Sequence, residues 1–167
     1  MTTFPEIATS RCALNRVMVD DLPVIQEVFN DTQTQMFLPE LCGLLGLDNG
    51  ILQFISVFDA YMLENEGVLW AIRHREKLIG FVGIIDFSLK PTLFYAMHSD
   101  YRLKGFMKEA IEAVIGFVCS NNLCCSLQSE VYKENVISIN LLQSVGFDVM
   151  KADGQKFYLR KDLACCG

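Results

Sequence analysis

Apolar residues recur along this chain at two different periods, and the switches between them predict its elements. Leu22, Ile25, Val28 and Phe29 fall three or four apart, the spacing of one helix face, directly after Asp20 and Asp21, which suit a helix cap. A helix is predicted over Leu22 to Asn30, with a strand before it in Arg11 to Val19. From Pro39 the helical spacing returns through Leu41, Leu44 and Leu45 and, past the Asp48-Asn49-Gly50 turn, through Ile51, Phe54, Ile55, Phe58 and Met62, predicting one or two helices. At Glu66-Gly67 the pattern changes. Val68 to Arg73 and Lys77 to Phe87 are short apolar runs around a polar turn at His74 to Glu76 and read as a β-hairpin.

Thr92 to His98 reads as a further strand, and Ile111, Val114, Ile115 and Val118 then form one helix face. Cys124 to Val131 reads as a strand, Asn135 to Ser144 as a helix, and Phe147 to Lys151 with Lys156 to Leu159 as a terminal hairpin across Asp153-Gly154. No repeat, low-complexity stretch or linker divides the chain. The expectation is a single domain over residues 1–167, of α/β (α+β) class, with a mixed sheet covered by helices.

Composition narrows this picture. With 167 residues, 51% of them hydrophobic, the chain can fill one ordinary core. Its longest apolar run, Leu78 to Ile85, is far short of the roughly 18 to 20 residues of a membrane span. The first residues, with Thr2, Thr3, Pro5 and Glu6, have no basic region before an apolar stretch. A soluble, cytoplasmic protein with no membrane partner is expected. The net charge of −6 argues against a broad nucleic-acid surface, so no direct nucleic-acid partner is expected. Seven cysteines in a core-rich chain point to reduced thiols rather than a disulfide framework. The pairs Cys124-Cys125 and Cys165-Cys166 lack a metal-binding spacer, and only His74 and His98 offer imidazoles, so no metal site is expected.

The segment Ser99 to Ala110, S-D-Y-R-L-K-G-F-M-K-E-A, follows an apolar strand and opens a helix. The first turn of a helix has backbone N–H groups without intrahelical partners, and its dipole favours negative charge there. Gly105 removes a Cβ that would keep an anion off the backbone, while Arg102 and Lys104 add cationic side chains. The segment therefore suits a pyrophosphate.

Two motifs then carry a resemblance. Arg102-Leu103-Lys104-Gly105-Phe106-Met107 is similar to the Gln/Arg-x-x-Gly-x-Gly/Ala loop of the GCN5-related N-acetyltransferases, with Met107 standing where that motif has Gly or Ala. Asn135, Ser138, Leu141, Leu142, Gly146 and Phe147 fit the family's N-x-x-S-x-x-L-L-x-x-x-G-F pattern. In this order, with a strand between, the chain resembles the branch containing the ribosomal-protein N-terminal acetyltransferases.

The resemblance implies a mostly antiparallel central sheet with a V-shaped splay between the strands Thr92 to His98 and Cys124 to Val131, and helices on both faces. It implies acetyl-CoA as cosubstrate and no metal, with Met97, Arg102, Leu103, Lys104, Gly105, Phe106, Met107, Asn135 and Ser138 as the binding residues. The acceptor would be a primary amine on a protein N-terminus or a small molecule, and the protein a monomer or homodimer. Acyl transfer to an amine needs a base, an N–H donor to the thioester carbonyl and an acid for the thiolate. The N–H near Met97 or His98 is the expected donor. The tyrosine that many members use as the acid is replaced by Leu142, leaving Ser138, Tyr95 or a water. The glutamate that related enzymes carry at the start of the strand is replaced by Thr92 and Leu93, leaving His98 as a candidate base, with Asp86 and Glu130 acting through a water. The alternatives are a fold-retaining CoA sensor or interaction module with little activity, and an unrelated α/β protein whose loop binds another phosphorylated ligand.

Overall fold

The computed structural model describes residues 3–164. The elements run β1 (Ile7–Ala8), β2 (Ala13–Arg16), α1 (Leu22–Asn30), α2 (Thr32–Phe37), α3 (Pro39–Cys42), α4 (Gly50–Glu64), β3 (Gly67–His74), β4 (Lys77–Ile85), β5 (Thr92–Met97), α5 (Phe106–Ser120), β6 (Ser126–Tyr132), α6 (Val136–Ser144), β7 (Asp148–Asp153) and β8 (Lys156–Asp162). The strands form one sheet in the order β1-β2-β3-β4-β5-β6-β8-β7, antiparallel at every junction except β5 to β6.

Burial on both faces explains why β3 and β4 read as nearly continuous apolar runs. One face packs under α5 and α6, where Trp70, Val82, Leu93 and Met97 meet Ala110, Ile111, Val114 and Leu142. The other face carries α1 and α4, and its core is rich in aromatic rings. Phe29 meets Phe81 edge-on with centroids 5.8 Å apart, and Phe54 meets Phe58 at 5.1 Å, the arrangement that ring quadrupoles favour. The two-residue alternation of β5 thus sends Leu93, Tyr95 and Met97 toward α5, and Phe94 and Ala96 toward α1 and α4.

Several expectations are corrected. The first predicted strand is shorter, because Val19–Asp21 form a 3₁₀ turn in which Asp21 accepts the Met18 N–H at 2.7 Å and pairs with Arg73 at 2.6 Å. The region after Pro39 divides into α3, a 3₁₀ turn over Gly43–Gly46, and α4. Strand β1 and helix α2 were not foreseen. The polar run Thr-Gln-Thr-Gln in α2 has no apolar period, and its start is fixed by Asp31, whose carboxylate accepts the Thr34 N–H at 3.0 Å. Cys125 is disulfide-bonded, against the expectation of reduced thiols throughout. Cys165 and Cys166 lie outside the described residues.

Candidate active site

The parallel junction between β5 and β6 closes at a single pair, Thr92 with Gln128. Just beyond it the Ser129 hydroxyl donates to the Leu93 carbonyl at 3.1 Å, and past that point the strands part. A cleft of about 550 Å³ opens there, bounded by β5, β6, the loop before α5, the start of α6, and α2. Strand parity decides which backbone groups face it. The His98 N–H donates to Ile79 at 2.8 Å, on the β4 side, so the N–H groups of Tyr95 and Met97 point the other way, into the gap. This separates the two expected carbonyl donors: Met97 faces the cleft and His98 does not.

At one end of the cleft, Leu103 and Gly105 take positive φ of 59° and 81° and turn the chain into α5. Among the described residues, no acceptor takes the N–H groups of Leu103, Lys104 or Gly105, and the first intrahelical bond of α5 is that of Glu109 to Gly105. Leu103 and Gly105, with N–H groups that no acceptor takes, line the cleft at the positive end of a fifteen-residue helix. Met107, which departs from the family motif, is 9% exposed, and its side chain lies in the core under the sheet. It also borders the cleft beside Gly105 and Phe106.

The loop is held from behind. Arg11 Nη1 donates to the Lys104 carbonyl at 2.9 Å, its guanidinium covers Phe106 at 4.4 Å, and its Nε meets Glu109 at 2.7 Å. Burial opposes ionisation of Glu109, but hydrogen bonds from Thr9 and from the Arg11 side chain and backbone prevail and push its pKa down to about 2. Lys104 Nζ donates to the Asp100 carbonyl at 2.7 Å. Lys108 lines the cleft and is exposed.

Arg102, expected as a phosphate ligand, turns its guanidinium to protein acceptors. Its Nε donates to the Met97 carbonyl at 3.1 Å, Nη1 to Gln33 at 2.8 Å, and Nη2 to Asp31 at 2.7 Å and Thr34 at 3.1 Å. Four of the five guanidinium donors are used, so no fork remains for a phosphate. His98 is likewise committed elsewhere: Nδ1 accepts the Asp100 N–H at 3.2 Å, and Nε2 faces Glu27 at 3.1 Å. It caps the 3₁₀ turn at Ser99–Tyr101 and is not part of the cleft wall, which removes the geometric basis for its expected role as base.

At the other end, Asn135 caps α6 by accepting the Ser138 N–H at 3.2 Å, and both residues line the cleft. Tyr95 from β5 and Ser138 from α6 share a hydroxyl–hydroxyl hydrogen bond of 2.5 Å. Burial raises the Tyr95 phenol well above its ordinary value, with the Ser138 bond acting in the opposite direction, so the phenol stays protonated. Leu142 is fully buried, so the position of the family tyrosine is a packing position here. Of the three candidate bases, only Glu130 lines the cleft, where its carboxylate receives Lys90 at 2.9 Å. Sequence reasoning missed Arg11, Glu109 and Asp31 as supports of the site; the bonds that tie them across it, Arg11 to Glu109 and Asp31 to Arg102, span 71 or more residues, so no local spacing marks them.

No group of three or more His, Cys, Asp or Glu residues suited to a metal occurs among the described residues, and no helix there is long and apolar enough to cross a membrane.

Residues 11–148 match the acetyltransferase (GNAT) domain. No curated protein matches the chain by sequence. Among solved structures, a ribosomal-protein-S5-alanine acetyltransferase from Vibrio fischeri is similar with a TM-score of 0.81 at 15% identity, covering 96% of this chain and 97% of the other. A ribosomal L7/L12 α-N-protein acetyltransferase in complex with coenzyme A gives 0.80 at 9% identity, over 96% and 99% of the two chains. A spermidine N-acetyltransferase from Vibrio cholerae, in complex with CoA and spermine, gives 0.76 at 14% identity, over 93% and 97%. These three share the fold, and the domain match extends over most of the sequence. The chain belongs to the GNAT acetyltransferase family.

Proposed function

We propose that this protein transfers the acetyl group of acetyl-CoA to a primary amine by direct attack in a ternary complex. The observation that carries the reading is the row of unpartnered N–H groups from Leu103 to Gly105 at one end of a cleft whose other end holds the Tyr95–Ser138 pair and Glu130. Phosphates rest on the N–H groups from Leu103 through Met107 and near Lys108, with Gly105 permitting close approach. The Met97 N–H, and beside it that of Tyr95, donates to the thioester carbonyl as charge builds on its oxygen.

Glu130 is the base, drawing the proton from the ammonium acceptor directly or through a water, and Lys90 gives way as the acceptor enters. The amine nitrogen attacks the carbonyl carbon, the carbon–sulfur bond breaks, and the thiolate takes a proton from Ser138, while the proton that the new amide nitrogen gives up returns through water and Tyr95 to Ser138, leaving both hydroxyls protonated. Asn135 positions Ser138 and offers its amide to the pantetheine arm.

The acceptor is a peptide N-terminus or a small polyamine-like amine. Solved relatives named for protein α-amines and for spermidine support both classes. Calorimetry with acetyl-CoA, followed by thiol release against serine-initiated and alanine-initiated peptides and spermidine, tests the reading. Tight binding with turnover of one amine class is expected. Binding without turnover of any amine leaves the sensor reading, which the buried Leu142 favours, and absence of binding removes both.

A further inference from the structure

We propose that Arg102 is a positioning residue for the acceptor side rather than a ligand of the cofactor, tying the wall formed by α2 to the end of β5 that holds the reacting carbonyl. The inference rests on the acetyltransferase reading for its chemistry, but the tie itself rests on the contacts.

Helix α2 has six residues, too few for a helix to persist in water without tertiary support. Gln33, Thr34, Phe37 and Leu38 line the cleft from this segment. Three of the four Arg102 bonds go to this segment and its cap, Asp31, Gln33 and Thr34, and the fourth goes to the Met97 carbonyl. Asp31 answers with one oxygen, Oδ2, that receives the Thr34 N–H, the Thr34 hydroxyl and Arg102 Nη2 together. Burial opposes the ionisation of Asp31, but the hydrogen bond from Arg102 and those from Thr34 outweigh it and hold its carboxyl below the usual range. The charge that starts α2 is therefore the one that Arg102 neutralises. The N–H and carbonyl of Met97 leave the same edge of β5, so the residue that offers its N–H to the gap is also the one whose carbonyl Arg102 holds.

The test compares wild type with Arg102→Ala, Arg102→Lys, Asp31→Asn and the double variant Arg102→Ala/Asp31→Asn. Calorimetry reads the Kd for acetyl-CoA, hydrogen exchange reads the backbone of residues 31–38, and steady-state kinetics use a serine-initiated peptide and spermidine as acceptors. Expected for Arg102→Ala are an acetyl-CoA Kd within threefold of wild type, faster exchange over residues 31–38, and an acceptor KM raised tenfold or more. Arg102→Lys restores part of that KM, and the double variant is no worse than the worse single one. A tenfold weaker acetyl-CoA Kd in Arg102→Ala with unchanged exchange at residues 31–38 overturns the proposal. If wild type binds no acetyl-CoA, the acetyltransferase reading fails, while the exchange comparison still decides whether Arg102 holds α2.

Discussion

Glu109 accepts from Arg11 twice, from its backbone N–H at 2.8 Å and from its Nε at 2.7 Å, and so pins the start of α5 to the turn between β1 and β2. With Thr9 donating to the same carboxylate at 2.6 Å, the anion is satisfied without any ligand. The arrangement holds the loop shape from below while leaving its N–H groups exposed above.

The Glu109 carboxylate has its pKa depressed from 4.5 to about 2 in the folded state. A depressed acid contributes stability that is present above its unfolded value and lost as pH falls through its folded value. The contribution, about 2 kcal/mol after screening, should fade between pH 5 and 2. Chemical denaturation of wild type and Glu109→Gln across that range should give two stability curves that converge at the acidic end. Parallel curves would show that the carboxylate is not held in this way.

Gly105 has φ of +81°, and a Cβ built there would lie 3.2 Å from Arg11 Nη2. Gly105→Val should therefore cost about 1 to 3 kcal/mol in backbone strain and weaken acetyl-CoA binding tenfold or more, by pushing on the Arg11 brace and changing the backbone angle that aims the N–H groups. Calorimetry and a thermal melt measure the two effects separately. Equal affinity in wild type and variant would argue against phosphate binding at this loop.

Tyr95 and Ser138 act as one unit through their shared hydrogen bond, so Tyr95→Phe and Ser138→Ala should each lower kcat by about tenfold to a hundredfold while acetyl-CoA affinity changes little. The double variant should be no slower than the slower single one. Multiplicative losses would mean that the two hydroxyls serve separate steps.

Restoring a tyrosine at position 142 should not restore an acid. Leu142 is fully buried in the core beneath the sheet, so Leu142→Tyr adds a ring and a hydroxyl to a filled space and should cost about 1 to 3 kcal/mol. For a domain of this size that is a fall in Tm of about 2 to 4 °C for each kcal/mol. A variant with unchanged Tm and higher kcat would show that the helix can present the phenol to the cleft.

How much of this was legible in the sequence depended on how far away each residue's partner lies. Strands β3 and β4 were readable because burial on both faces writes a continuous apolar run into the sequence itself. The loop before α5 was readable because a glycine in a left-handed conformation at a helix start is a local signal. Helix α2 was not, since its first four residues are polar with no apolar period, and the Asp31 cap that starts it is itself paired with a charge 71 residues downstream. The partners of Arg102 were hidden for the same reason: beside Gly105 it resembles a phosphate ligand, and only the position of Asp31 shows which acceptors its donors meet in the fold. Tyr95 and Ser138 could be named separately from strand and helix motifs, but their meeting depends on strand parity and on the angle at which α6 crosses the sheet. The motif at Met107 marked a departure, but not that the side chain would be buried in the core beside Ala110 and Ile111.

The single β5–β6 pair at Thr92 and Gln128 leaves the eight strands as a ladder with rungs missing in its middle. Five strands on one side and three on the other are each well bonded, and between them the backbone donors of Tyr95 and Met97 wait for a guest. A ligand seated in that gap supplies the absent rungs, so it is a structural member of the sheet as well as a reactant. Heat should then read affinity. At a hundred times its Kd, acetyl-CoA should add about 2.7 kcal/mol to the stability of the folded chain, and its melting temperature should climb with every increment of cofactor.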